Sequence, residues 1–88
     1  MKAIPMKVTV KYFASIREAI GQGSELRETS AMTLAALRDE LLAASPLHAA
    51  SLARGRCVRM AINQVMSDET ALVTEGCEVA FFPPVTGG

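Results

Sequence analysis

Apolar and polar residues alternate over the first part of the chain. The stretch MKVTVKYF, residues 6–13, places every second residue from Met6 to Tyr12 in one apolar row. A period of two predicts a β-strand with one buried face. The stretch SELRET, residues 24–29, is more polar, and we interpret it as a second strand at the edge of a sheet.

A helical pattern follows over residues 33–44. Thr33 is the predicted N-cap, and Met32 before it is expected to pack on Leu37 as a hydrophobic staple. Residues 38–40, Arg-Asp-Glu, fall on the polar side, and Pro46 is expected to stop the helix. The leucines have the spacing of a single apolar helical stripe: Leu34, Leu37, Leu41 and Leu42.

Two shorter helical segments are also predicted. Ser15 followed three residues later by Glu18 matches a capping box, so a short helical turn is expected over residues 16–20. Gly21 stands where a left-handed C-terminal cap would lie. A further weak turn is predicted over residues 47–54.

The last third of the chain contains strand patterns. We predict strands over residues 57–63, 65–66 and 77–82, with a tight turn at Asn63-Gln64 and another over residues 74–76. Pro83 and Pro84 cannot donate to a ladder and end the last strand. The order of elements predicts an α+β fold of the β-grasp, ubiquitin-like type: a mixed sheet of four to five strands with one main helix on one face.

Composition narrows the function classes. The chain has 88 residues, half of them hydrophobic, with nine basic and nine acidic side chains. We expect one domain over residues 1–88, with a loose leader at residues 1–5 and no nucleic-acid partner, because no basic footprint is present. No stretch is apolar enough for a signal peptide or a membrane span, so we expect a cytoplasmic protein.

The cysteines do not indicate a metal site. Cys57 and Cys77 are twenty positions apart, and the lone His48 is near neither of them. A zinc site needs about four ligands, so we expect no metal and interpret both thiols as bystanders. A sulfur relay through Cys77 is the alternative.

The chain ends in FFPPVTGG, residues 81–88. Two prolines favour an extended backbone that projects the following residues from the sheet. Gly87 and Gly88 have no Cβ, so this end could enter a narrow channel and bring its carboxylate to a reaction centre. Activation to an acyl adenylate would make that carboxylate reactive towards a sulfur nucleophile.

Three segments resemble a known family. They are VKYFASIREAIG at residues 10–21, MAINQ at residues 60–64 and GCEVAFFPPVTGG at residues 76–88. The sequence resembles the small subunits of molybdopterin synthase, the MoaD-like branch of the ubiquitin-like sulfur carriers, over nearly its whole length. The last segment is the most specific, because the related thiamine-pathway carriers share the Gly-Gly end but typically lack the FFPPV run.

The resemblance implies a carrier subunit of an enzyme complex with no activity of its own. The carboxylate of Gly88 would be adenylated by a ubiquitin-activating-like enzyme and converted to a thiocarboxylate. It would then donate sulfur to a cyclic pyranopterin monophosphate in molybdenum cofactor biosynthesis. The implied assembly is a heterotetramer with a large catalytic subunit. No cofactor would be bound by this chain, and ATP would be used by the activating enzyme.

The resemblance also implies an interface. The residues of the projecting tail would enter the large subunit: Pro83, Pro84, Val85, Thr86 and Gly87, ahead of Gly88. Adjacent residues of a strand face opposite sides, so one of Phe81 and Phe82 is expected in the core. The resemblance implies that the second phenylalanine docks the large subunit, so we assign Phe82 outward; burial of both rings is the alternative. Arg17 matches an arginine of the family; a partner contact and a solvated charge are both open.

Other functions are compatible with the same sequence features. The same carrier chemistry could serve a tungsten pathway, thiamine, cysteine or tRNA thiolation. A ubiquitin-like modifier joined to protein lysines is an alternative of another class. The sequence shows no nucleophile–base pair, metal cluster or phosphate loop that would indicate a stand-alone enzyme.

Overall fold

A five-stranded sheet with three helices on one face forms the described part of the chain. The computed structural model describes residues 5–53 and 57–84. The elements are, in chain order, β1 (Met6–Tyr12), α1 (Ala14–Ile20), β2 (Ser24–Thr29), α2 (Leu34–Leu42), α3 (Pro46–Leu52), β3 (Arg59–Ile62), β4 (Val65–Ser67) and β5 (Glu78–Phe82). The predicted leader at residues 1–5 lies, except for Pro5, outside the described residues, as does residue 54 of the predicted second turn.

The strands are arranged in the order β2-β1-β5-β3-β4. β1 and β5 are parallel neighbours in the centre, with Tyr12 opposite Phe81, and the other pairs are antiparallel. This is the mixed sheet of the predicted β-grasp fold, and β2 lies at an edge as its polar sequence indicated. The register also fixes which side chains share a face, which decides the rest of the architecture.

The hydrophobic core lies between the sheet and the helices. Val10 and Tyr12 of β1 share the helix-covered face with Val79 and Phe81 of β5, and all four are buried. Their partners from the helices are the fully buried leucines of α2 and α3: Leu34, Leu37, Leu41 and Leu52. The opposite surface of the sheet carries no described helix, and we call it the open face.

Helix α2 confirms one predicted cap and contradicts two other expectations. Thr33 Oγ1 accepts a hydrogen bond from the Ala36 amide at 3.2 Å. Met32 is 70% exposed and does not form the predicted staple on Leu37. Arg38 was expected on the polar side but is buried, because α3 packs there. Its guanidinium donates to the carbonyl oxygens of Leu52 at 2.7 Å and Ala53 at 2.8 Å.

Helix α1 begins earlier than predicted. The N-cap is Phe13, no side chain caps the helix, and the Ser15–Glu18 capping box does not form. The reason is that the Phe13 amide donates to the carbonyl of Phe81 at 3.2 Å, so β1 passes into α1 without a loop. Ala14 takes a left-handed φ of 52° at this junction. Gly21 is the predicted left-handed C-cap, with φ of 92°.

Pro46 begins a helix as well as following one. It lies at the first position of α3, where its missing N–H would have had no intrahelical partner. Ser45 Oγ accepts from the His48 amide at 3.2 Å and caps this helix. The predicted weak turn is therefore a capped helix of seven residues.

The predicted turn at Asn63-Gln64 joins β3 to β4. Both residues have positive φ, 50° and 68°, as a two-residue hairpin turn requires. The side-chain oxygen of Asn63 accepts a hydrogen bond from the backbone amide of Glu78 at 2.9 Å. The backbone amide of Asn63 donates to the backbone carbonyl of Glu78 at 2.8 Å. The hairpin is thereby attached to the start of β5. No helix in the described ranges has the length and apolarity needed to cross a membrane.

Candidate functional site

The root of the C-terminal tail lies at the end of the central strand β5. Phe81 is fully buried among the helices, whereas Phe82 is half-buried on the open face. This is the alternation that the sequence predicted; the docking role of Phe82 stays a prediction. Pro83 and Pro84 follow and are half-buried. The remaining predicted tail residues, Val85, Thr86, Gly87 and Gly88, lie outside the described residues.

Phe82 is one of five apolar residues on the open face, and Arg59 of β3 is directly opposite it. Its ring makes an edge-to-face contact with Phe13, with centroids 6.4 Å apart. Ala80 lies next along β5, Ala61 of β3 is directly opposite it, and Met66 of β4 is opposite Ala61. We call these five residues the open-face patch. It runs from the tail root across three strands.

Exposure within the open-face patch is uneven. Met66 is 55% exposed and Phe13 is 44% exposed, whereas the two alanines are buried. An alanine side chain ends at Cβ, so its larger neighbours shelter it. Exposed apolar side chains around a shallow centre are typical of a surface that receives a partner.

Polar groups border the open-face patch along β1. Lys11, opposite Ala80, forms an ion pair with Glu78 at 3.4 Å. Further out, Leu26 of the edge strand is opposite Thr9 and is 79% exposed. The face therefore combines an apolar centre with a charged pair and a second exposed apolar side chain at its edge.

Arg17 lies on α1 and is exposed. Its guanidinium lies over Gly23, where an added Cβ would be 3.2 Å from Nε. Arg17 therefore lies beside Gly23 and is not one of the five residues of the open-face patch. A partner contact by Arg17 stays a prediction.

The matching family model covers nearly the whole chain. It is the model of the ThiS family, and it matches residues 10–88. The chain belongs to the ThiS family. The matched range includes all three segments on which the sequence resemblance depended, at residues 10–21, 60–64 and 76–88.

Named relatives of this ThiS-family chain agree with that assignment. The molybdopterin synthase sulfur carrier subunit of Escherichia coli (strain K12) is 38% identical over 81 residues, covering 92% of this chain and 99% of that protein. The solution structure of the Haloferax volcanii HVO 2177 protein superposes with a TM-score of 0.80 at 25% identity, covering 100% of this chain and 91% of that one.

A third relative was solved with a partner. It belongs to a protein–protein complex of subunits 1 and 2 of molybdopterin-converting factor from Helicobacter pylori 26695. The TM-score is 0.66 at 25% identity, with 94% of this chain and 100% of that chain covered. These structures confirm the predicted fold.

The ThiS-family chain also holds a buried polar cluster that the sequence analysis missed. Glu25 Oε2 accepts from the Tyr12 hydroxyl at 3.2 Å and lies 3.3 Å from His48 Nε2. Ser45 Oγ lies 2.7 Å from His48 Nδ1 on the other side of the ring. No sequence pattern indicates a role for His48, because its neighbours in the cluster come from β2 and β1 and only tertiary packing brings them together.

This cluster does not resemble a catalytic centre. Burial, followed by the charge of Glu25 and the hydrogen bond to it, raises the pKa of the Tyr12 hydroxyl well above its ordinary value. The hydroxyl is therefore a neutral donor and a poor nucleophile or base at physiological pH. Among the described residues, no group of three or more His, Cys, Asp or Glu side chains could hold a metal ion. The described geometry supports binding at the open face.

Proposed function

We propose that this chain is the sulfur carrier subunit of molybdopterin synthase. The observation that carries the proposal is the tail root. β5 delivers Phe82, Pro83 and Pro84 to the border of the open-face patch, and the sequence then ends in Gly87-Gly88. Two relatives named molybdopterin synthase sulfur carrier subunit align with 92% of this chain and 99% of their own length. A docking surface beside a thin terminus suits a protein that presents its own carboxylate to other enzymes.

The proposed chemistry takes place at the terminal carbonyl. The carboxylate of Gly88 attacks the α-phosphate of ATP on an activating enzyme, and pyrophosphate leaves. A hydrosulfide-level nucleophile then displaces AMP, and the product is a thiocarboxylate. Its sulfur is transferred to a cyclic pyranopterin monophosphate, and the carbon–sulfur bond at Gly88 breaks as water returns the terminal carbonyl to a carboxylate. This chain supplies the carbonyl and the docking surface, and its partners supply ATP binding and the catalytic side chains.

Two partners follow from this proposal. The large synthase subunit is supported by the Helicobacter pylori complex, in which a chain of the same fold is paired with subunit 2. The adenylating enzyme is required by the chemistry, because a free carboxylate is a poor electrophile. ATP-dependent activation would take place in the cytoplasm. The proposal includes no nucleic-acid or membrane partner.

Mass spectrometry of the C-terminal peptide tests the proposal. Protein isolated from cells that contain the activating enzyme should carry one sulfur in place of one oxygen at Gly88. Deleting Gly88 should abolish the modification and synthase turnover. It should change the free energy of unfolding by no more than about 0.5 kcal/mol, as for a substitution outside the core.

Cys57→Ser is the matched control. It removes the exposed thiol and should leave the terminal thiocarboxylate intact, because the reactive sulfur belongs to the carbonyl. A truncated chain that still supports turnover would refute the carrier role. Isopeptide-linked adducts with lysines, without any thiocarboxylate, would indicate a protein modifier instead.

A further inference from the structure

The strand β2 forms one edge of the sheet, and within the described ranges it pairs only with β1. The amide of Tyr12 donates to the carbonyl of Gly23 at 2.9 Å, and these two residues continue the β1–β2 register as an opposed pair. Backbone groups alternate in direction along a strand. Ser24, Leu26 and Glu28 therefore point their N–H and C=O groups away from β1, and such a row is a template for another strand.

The side chains of these outward residues lie on the open face. Leu26 is 79% exposed in the middle of the strand, and Ser24 and Glu28 flank it. Lys7 of β1 stands opposite Glu28 and places a positive charge beside it. Charged residues on an edge strand commonly protect it against pairing. In β2, however, the order of the charges makes the edge complementary to itself.

That complementarity is seen when two copies of β2 are set antiparallel about a two-fold axis at Leu26. Glu25 of one copy then stands opposite Arg27 of the other, Ser24 stands opposite Glu28, and the two leucines stand opposite each other. An axis at Glu25 or at Arg27 would place like charges directly opposite, which destabilises a strand pair. The order of charges therefore selects the register centred on Leu26.

The backbone and the side chains both permit this register. Each outward residue meets an outward residue of the second copy, so their N–H and C=O groups can exchange hydrogen bonds. Glu25 and Arg27 then form pairs without backbone hydrogen bonds, in which cross-strand side chains approach most closely. Glu25 Oε1 lies 3.4 Å from Arg27 Nη1 of its own chain, longer than a good hydrogen bond. This oxygen can therefore accept from the second guanidinium.

We propose that two copies of this chain associate through β2, in the register centred on Leu26, to form one continuous sheet. The partner is a second copy because the edge is complementary to itself, and a two-fold contact of this kind closes without leaving a further β2 edge. β1 separates β2 from β5, so the tail root lies outside the contact. A contact between two short strands is small, and interfaces below about 1,200 Å² are typical of weak complexes.

Concentration dependence tests the association of the full chain. Sedimentation equilibrium from about 10 μM to about 1 mM protein should show the average mass rising toward twice that of the monomer. Over the same range, hydrogen exchange measured by NMR should slow at the outward amides of Leu26 and Glu28. The amide of Arg27, which faces β1, should change much less. A mass that stays monomeric throughout would overturn the proposal.

Charges introduced on the symmetry axis test the register. Leu26→Lys would place two ammonium groups opposite each other, and Leu26→Glu would do the same with two carboxylates. Each variant alone should dimerise about ten-fold more weakly than the parent chain. An equimolar mixture of the two should dimerise nearly as well as the parent chain, because each ammonium group then faces a carboxylate. The exposure of Leu26 means that both variants should fold.

Leu72→Lys is the matched control, because it changes an exposed leucine outside β2 and should leave the dimer unchanged. Tighter association of Leu26→Lys alone would indicate an axis at Arg27, with residue 26 opposite Glu28, and would overturn the register. A mixture that associates no better than its components would overturn it as well. None of these measurements needs the large subunit or a thiocarboxylate, so their outcome is independent of the carrier proposal.

Discussion

At the scale of single residues, Tyr12 shows how a polar group is accommodated in the core. It is the only tyrosine of the chain, and its ring stacks on Phe81 at 6.3 Å between centroids. Its hydroxyl reaches Glu25 at the edge of the sheet. The ring contributes to the core, while the hydroxyl stays paired only in its neutral form.

Alkaline pH should destabilise the protein through Tyr12. Its pKa is raised in the folded state, so between about pH 10 and the folded value only the unfolded state loses this proton. The stabilisation is present below about pH 10 and is lost above it, by up to about 1.4 kcal/mol per pH unit. Urea titrations of the parent chain and Tyr12→Phe should therefore converge as the pH rises above 10. Tyrosinate absorbance at about pH 10 in the folded protein would contradict this expectation.

At the scale of elements, β5 separates two roles on its two faces. Phe81 is fully buried in the core, and Phe82 contacts Phe13 on the open face. One residue along the strand thus separates a stability determinant from a candidate partner contact.

The two phenylalanines should respond differently to truncation. Phe81→Ala should cost about 3–5 kcal/mol of folding stability, as for other buried aromatic residues. Phe82→Ala should cost about 1–2 kcal/mol, because only part of its surface is buried. In binding to the large subunit, Phe82→Ala should lose roughly 1–4 kcal/mol, the range of an interface anchor. Melting curves and titration calorimetry measure the two effects. A Phe82→Ala chain that binds normally would remove this residue from the interface.

Helix α3 is held to α2 by a buried arginine. Arg38 donates to the carbonyl oxygens of Leu52 and Ala53, where α3 ends, and its Nη1 lies 3.8 Å from a carboxylate oxygen of Glu69. It therefore satisfies backbone acceptors that the helix leaves unpaired.

Arg38→Met should destabilise the fold by about 2–4 kcal/mol. Methionine retains the aliphatic length but leaves the two carbonyl groups and the Glu69 carboxylate without this donor. Arg17→Met, at an exposed position of α1, is the matched control and should change stability by no more than about 0.5 kcal/mol. Chemical denaturation of both variants decides the point. Equal losses of unfolding free energy in the two variants would mean that the buried hydrogen bonds of Arg38 do not contribute to stability.

At the scale of the whole molecule, the two sides of the sheet have separate tasks. The helices bury one face and supply the stability, while the open face carries the open-face patch and the tail root. Apolar side chains are exposed on the other side as well: Leu72 is 67% exposed next to Thr33, where α2 begins. Exposure alone therefore does not identify a docking surface, and our prediction depends on the position of the open-face patch beside the tail root.

Met66 and Leu72 form a matched pair for this argument. Met66→Lys introduces a charge into the open-face patch and should weaken binding to the large subunit at least about ten-fold. Leu72→Lys makes a similar change away from the tail and should alter the affinity by less than about two-fold. Both positions are exposed, so both variants should fold. Calorimetric titration gives the affinities. A larger loss of affinity for Leu72→Lys than for Met66→Lys would show that the large subunit does not dock on the open-face patch.

Local patterns along the chain predicted several features of the structure correctly. The period of two in β1, the leucine stripe and Thr33 cap of α2, Gly21 after α1 and the tail motif were all readable from the chain. Each depends on residues a few positions apart, and each is present in the structure where the described residues reach. The β-grasp fold and the family followed from their order and from the motifs.

Tertiary packing alone decided the rest. Arg38 is buried because α3 happens to end beside it, and Leu26 is exposed because the register of β2 turns it to the uncovered face. The Tyr12–Glu25–His48 cluster joins residues from three elements. Periodicity records how polar each side of an element is, but it does not record which element covers that side. That choice is made by contacts between segments distant in sequence, which no local pattern contains.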